Sequence, residues 1–279
     1  MEPPLLCQWQ TSKTNNYIKS IFGNDAQHLL EITASPSIMS FLQDPFHVGL
    51  QYTERSEVID KFGKNMDVDT EYDVISLGGS PELLSVPETF TIVSDDPNDS
   101  ITGTGAQKIL LQFLDEKYRP VEKEIELSGS VPVTTDSPYL RFLRGKITQV
   151  GSDRACTNLG KITIAASTNT SVITHILPLE GQTQTAQYTI PAKFTGFLQH
   201  CFISASTSNS ASITAQLQVR PFGEGWQTKH EATINIGRDT IDMSGSGAIP
   251  QKSDIRWIAK GKRSNNVVTA GYKVVLRPN

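Results

Sequence analysis

Phe90-Thr-Ile-Val-Ser94, Ala106-Gln-Lys-Ile-Leu-Leu-Gln-Phe-Leu114 and Val121-Glu-Lys-Glu-Ile-Glu-Leu127 follow one another closely, and their reading decides the fold. In the third run Val121, Ile125 and Leu127 share one side, and Glu122, Glu124 and Glu126 share the other. Period-two alternation puts one side in a core and the other in water, as in a strand of an antiparallel sheet. The runs are separated by Ser94-Asp-Asp-Pro-Asn-Asp-Ser-Ile-Thr-Gly-Thr-Gly105 and Asp115-Glu-Lys-Tyr-Arg-Pro120, both rich in turn formers.

The same grammar runs from Tyr72 to the last residues. Tyr139 to Val150, Lys161 to Ala165, Ser171 to Leu177, Phe197 to Ile203 and Val267 to Leu276 read as strands. Ile213-Thr-Ala-Gln-Leu-Gln-Val219 alternates strictly. Many short strands between Gly, Pro, Asn and Asp turns predict an all-β, antiparallel β-sandwich or jelly-roll-like fold. A break near Gly151 suggests β portions at 71–150 and 151–279, with one continuous domain over 71–279 as the alternative. Residues 1–70 are expected to be an arm and connector with short helices. Ser35-Pro36 is an N-cap followed by Pro, and Ile38, Met39, Phe41 and Leu42 keep helical spacing. Asp25 to Ile32 forms a second short helical stretch. Residues 54–80 read as a connector, with Phe62 the anchored aromatic of a turn at Gly63 and Asn65.

The 279 residues are 37% hydrophobic and 19% charged, with a formal net charge of -4. That balance lacks the basic footprint of a nucleic-acid binder. No run approaches the roughly 20 apolar residues that span a bilayer, and no signal peptide is read at the N-terminus. Synthesis and folding in a host cytoplasm are therefore expected. Cys7, Cys156 and Cys201 are far apart and odd in number, which argues against a disulfide framework.

No motif announces chemistry, and no catalytic residue or cofactor is expected. Asp95, Asp96 and Asp99, close together in one loop, are the metal candidate, since clustered oxygen ligands suit Ca²⁺. The same residues cap turns through their own backbone, and that reading is preferred. His28, His47, His175, His200 and His230 lack ligand spacing. Gly103-Thr-Gly105 is expected to let a hairpin turn with positive φ. Trp226, Trp257, Tyr118 and Tyr139 are candidates for stacking on sugars, with core packing preferred for each.

Taken in order, several short matches add up. They are Lys61-Phe-Gly-Lys-Asn65, Leu77-Gly-Gly79, Ile92-Val-Ser-Asp95 with Asn98-Asp99, Gly103-Thr-Gly-Ala106 and Glu124-Ile-Glu-Leu127. Further along come Tyr139-Leu-Arg141, Gly160-Lys-Ile-Thr-Ile164, Tyr188-Thr-Ile-Pro191, Pro221-Phe-Gly223, Gln227-Thr-Lys-His230 and Ile249-Pro250. This order resembles a family of β-rich virion structural proteins of marine and cyanobacterial tailed bacteriophages, over residues 58 to 276; residues 1–57 depart from it. The resemblance implies a non-enzymatic virion component, such as a capsid decoration, cement or knob protein, with other virion proteins and further copies of itself as partners. A tail, neck or fibre-adaptor protein is the alternative within that class. A host-glycan attachment module is the alternative outside it. A hydrolase requires a cleft holding a carboxylate pair.

Overall fold

The computed structural model describes residues 56–279 apart from 79–82, 169, 207–211, 236 and 244–245. All regular structure among these residues is strand, and every ladder is antiparallel. The helical expectations at 25–32 and 35–45, with Cys7, His28 and His47, lie outside the described residues.

Four sheets make two sandwiches. In the first, one sheet runs β1 (Glu57–Val68), β17 (Asn266–Pro278), β11 (Phe194–Ser206) and β14 (Gly237–Asp242), with β15 (Ala248–Ile249) added to β11. The facing sheet runs β10 (Gln187–Thr189), β16 (Asp254–Gly261), β12 (Ile213–Arg220) and β13 (Gln227–Ile234), with β2 (Asp73–Val74) added to β16. The alternation read in 213–219 holds: Ile213, Ala215, Leu217 and Val219 enter the core between these sheets. They meet Trp257, Tyr272, Leu198 and Ile203 there. Each large apolar side chain buried this way contributes about 1.5–3 kcal/mol.

In the second sandwich, β6 (Val133–Thr134), β3 (Phe90–Ser94), β8 (Ile162–Ala166) and β9 (Val172–Ile176) form one sheet. The other is β5 (Pro120–Glu126), β4 (Ala106–Leu114) and β7 (Arg141–Val150). Phe90, Ile92, Ile109, Leu111, Phe113 and Tyr139 lie in its core. The Tyr139 ring stacks on Phe113 at 4.3 Å and 7°. On β5, Val121 and Ile125 pack against this core while Glu122, Glu124 and Glu126 stay exposed. Lys123, the polar residue on the apolar side, reaches Asp136 at 3.0 Å.

Two readings change. The sequence does not break at Gly151, because β8 and β9 complete the sheet of β3 and the second core extends to Ile176. The connector over 54–80 contains the long strand β1, paired with β17 from Glu57↔Leu276 to Val68↔Asn266. Its polarity is inverted. Lys61, Gly63 and Asn65 are buried, whereas Phe62 is 38% exposed and stacks with Phe202 at 6.3 Å. Gly63 explains the register, since a Cβ there would run into the backbone nitrogen of Ala186 and the carbonyl of Ile75. Only a residue without a side chain passes that close, so its neighbours two places away face inward too.

Candidate functional site

A groove of about 340 Å³ opens where the two sandwiches meet. Glu57 to Lys61 of β1, Pro120 to Glu122 of β5, Gln112 of β4, Arg144 of β7 and Tyr188 of β10 line it, together with Phe194 and Leu276. Among the described residues both β1 and β5 end their sheets, so each has a described strand neighbour on one side only. Unpaired strand edges are the natural acceptors of a further strand.

Lys61 sets the electrostatics. The residue is 3% exposed, and its Nζ donates to the Leu143 carbonyl at 2.6 Å. Burial, reinforced by the Arg144 guanidinium, lowers its ammonium to a pKa of about 7. Arg144 Nη2 donates to the Asp60 carbonyl, tying β7 to β1. Burial and then the charge of Glu122 raise the pKa of Glu57. The Tyr188 phenol is pushed up by burial and by Glu57, against the pull of Arg144. The groove therefore combines a cation poised to lose its charge, a guanidinium, and two carboxylates, Glu57 and Glu122.

Of the metal candidates, Asp99 is spent on the protein itself. Asp99 is fully buried: its Oδ1 accepts from the Ala106 and Leu159 amides, and its Oδ2 from Ser94 Oγ and the Gly160 amide, all at 2.7–2.9 Å. Asp95 Oδ1 accepts from the Lys161 amide, and Asp96 Oδ1 from Asn98. A carboxylate holding four donors has no lone pair left for a cation. Among the described residues no group of three or more His, Cys, Asp or Glu is placed to hold a metal ion. The loop is an anchor joining β3, β4 and the segment before β8. Gly103 and Gly105 do not have positive φ, which corrects the turn expectation. They are small because a Cβ would strike the Asn98 carbonyl at Gly103 and Asp99 Oδ1 at Gly105.

His175, His200 and His230 lie on β9, β11 and β13, in three different sheets. His175 Nδ1 bonds Thr163 Oγ1 at 3.1 Å, and burial followed by Lys161 lowers its pKa. Cys201 is buried and its thiol is raised to about 12 by burial and Asp239. Among the aromatics, Trp257 and Tyr139 are core residues. Tyr118 is buried with Phe222 edge-on at 5.8 Å and the Arg141 and Lys252 cations 5.5 and 5.4 Å from its ring. Trp226 differs. It is half-buried on the loop between β12 and β13, with the Arg256 guanidinium 3.9 Å and that of Arg220 4.8 Å from its ring centre.

Sequence reasoning did not single out Lys61, Arg144, Arg220, Asp254 or Arg256 as site residues. A Gly in alternation with Lys and Asn, in Lys61-Phe-Gly-Lys-Asn65, is the one local signal that Lys61 faces inward.

No family model matches this chain, and no curated protein matches it. Among solved structures it is similar to PBSX exported protein XepA, at 9% identity over 79% of this chain and 86% of that one, with a TM-score of 0.19. The triple jelly-roll protein of an archaeal virus turret assembly aligns at 12% identity over 81% and 60%, with a TM-score of 0.21. VP2 of the infectious bursal disease virus subviral particle aligns at 8% identity over 81% and 72%, with a TM-score of 0.22. Similarity at this level carries no argument about what the chain does.

Proposed function

We propose that this chain is a non-enzymatic structural protein of a tailed-phage particle, seated on the capsid surface as a decoration, cement or knob protein. The groove carries this reading. Two sheet edges, β1 and β5, border one opening of about 340 Å³, and main-chain pairing at such edges holds many assemblies together. The order of short sequence matches to phage structural proteins supports the same reading. A tail, neck or fibre-adaptor role uses the same groove at lower copy number.

A second reading, glycoside hydrolysis, draws on Glu57 and Glu122, whose shared groove raises the pKa of one carboxyl, as a paired acid and base require. One particle preparation separates these readings. Gold-conjugated antibody to this protein is expected to label the head densely, and the purified protein is expected to release no reducing sugar from host-envelope glycans. Label at a single vertex or on the tail moves the assignment to the neck, tail or fibre. Absence of label, or sugar release lost in Glu57→Gln, overturns the structural reading.

A further inference from the structure

Arg220 and Arg256 project from adjacent strands, with Arg220↔Asp254 and Gln218↔Arg256 in register. Asp254, 5% exposed, is the carboxylate they surround, and it is already full. Its Oδ1 accepts from Arg141 Nε at 3.2 Å and Thr189 Oγ1 at 2.6 Å; its Oδ2 accepts from Arg220 Nε at 3.1 Å and Nη2 at 2.7 Å. Two guanidiniums thus share one carboxylate, and Arg256 beside them makes no bond to it. Arg256 Nε donates to Gln218 Oε1 at 3.0 Å, and its terminal nitrogens have no hydrogen-bond partner among the described residues. On the neighbouring strand and loop, Glu231 Oε2 accepts from Gln216 and Glu224 Oε2 from Gln227. Burial first, and then the charge of Arg220, lower the Arg256 pKa to about 10, against the pull of Asp254.

The surroundings narrow the kind of anion. Trp226, half-buried, stands against the two guanidiniums, and Phe222 on the same loop is 61% exposed. Beside them runs a row of amides and hydroxyls, in which Gln218 Nε2 and Thr228 Oγ1 both donate to Gln216 Oε1. The terminal nitrogens of Arg256 match a carboxylate, the aromatic pair Trp226 and Phe222 beside them matches the apolar side of a pyranose ring, and exchangeable amides match hydroxyls. We infer that Arg256, Arg220 and Trp226 form a binding site for a saccharide bearing a carboxylate. This site is independent of the groove and of the virion assignment.

The test titrates the full chain by calorimetry with oligosaccharides of galacturonic acid and of sialic acid, alongside neutral maltopentaose, inorganic phosphate and an oligoglutamate peptide. An acidic saccharide is expected to bind, the neutral one to bind far more weakly, and added salt to weaken the interaction. Arg256→Gln and Trp226→Ala are each expected to weaken binding by about tenfold or more. Trp226 lies on an exposed loop, so its removal tests the site even where Arg256→Gln perturbs the sheet. No binding of either acidic saccharide overturns the inference, as does unchanged affinity in Trp226→Ala. Phosphate or the peptide binding as tightly as the saccharides overturns the assignment of ligand class.

Discussion

Lys61 is an ammonium buried to 3% exposure, with one carbonyl as its hydrogen-bond partner. Its folded pKa of about 7 lies below the ordinary 10.5, so between those values the unfolded chain binds more protons than the folded one. Stability therefore rises with pH across that window, and below it the full cost of burying the charge is present. Lys61→Met removes the titrating group. The variant is expected to gain on the parent at about pH 6 by up to several kcal/mol and to lose that margin toward about pH 10. Urea melts of both proteins across this range check it; a constant difference refutes it. Comparing the two proteins matters, because the raised thiol of Cys201 and phenols of Tyr188 and Tyr272 destabilise the fold as pH climbs beyond their ordinary values. The sequence hid this residue for a plain reason. A lysine beside an exposed phenylalanine reads as the outward one of the pair, and only the glycine two places on inverts that rule.

At the scale of elements, β1 is held in register by that glycine. In Gly63→Ala the new Cβ meets main-chain atoms of Ala186 and Ile75, which cannot swing aside as a side chain can. The substitution is expected to cost about 1–3 kcal/mol or more and to loosen the groove wall, read as a lower urea midpoint and faster amide exchange over 57–65. An unchanged midpoint would mean that β1 is not seated against those atoms. Strands whose alternation is apolar against polar, such as 213–219 and 121–127, were legible without a structure. β1 was not, because its inner positions carry Lys, Gly and Asn. The groove was illegible for a different reason: its lining comes from segments separated by most of the chain. Alternation reports which way a residue faces, and pairing partners leave no comparable trace in a single sequence.

At the scale of the whole molecule, the described residues from Glu57 onward contain two cores joined by polar pins. Arg141 reaches from β7 of the second sandwich to Asp254 of the first, and Lys61 on β1 reaches back to Leu143 on β7. Asp254→Ala leaves the buried Arg141 without its counter-charge and releases Arg220 as well, a loss of about 3–5 kcal/mol. Calorimetry is expected to show a lower melting temperature and a broadened or split transition, since the two cores lose their common charge. A single transition at the parent temperature would show that apolar contacts alone couple them. At this scale the sheets do not divide at Gly151: β8 and β9, beyond that glycine, belong to the earlier core.

The pairing of β1 with β17 has a temporal side. Asn266 donates to the Val68 carbonyl, 198 positions earlier in the chain. Ribosomes add about 5–20 residues per second, so β1 leaves the ribosome roughly ten to forty seconds before its partner strand exists. The second sandwich, built from contiguous chain, completes itself during that interval, and the first closes only as the last strand emerges. A nascent chain stalled late in synthesis would therefore be half native, with one sandwich formed and the β1 edge still open to whatever strand reaches it first.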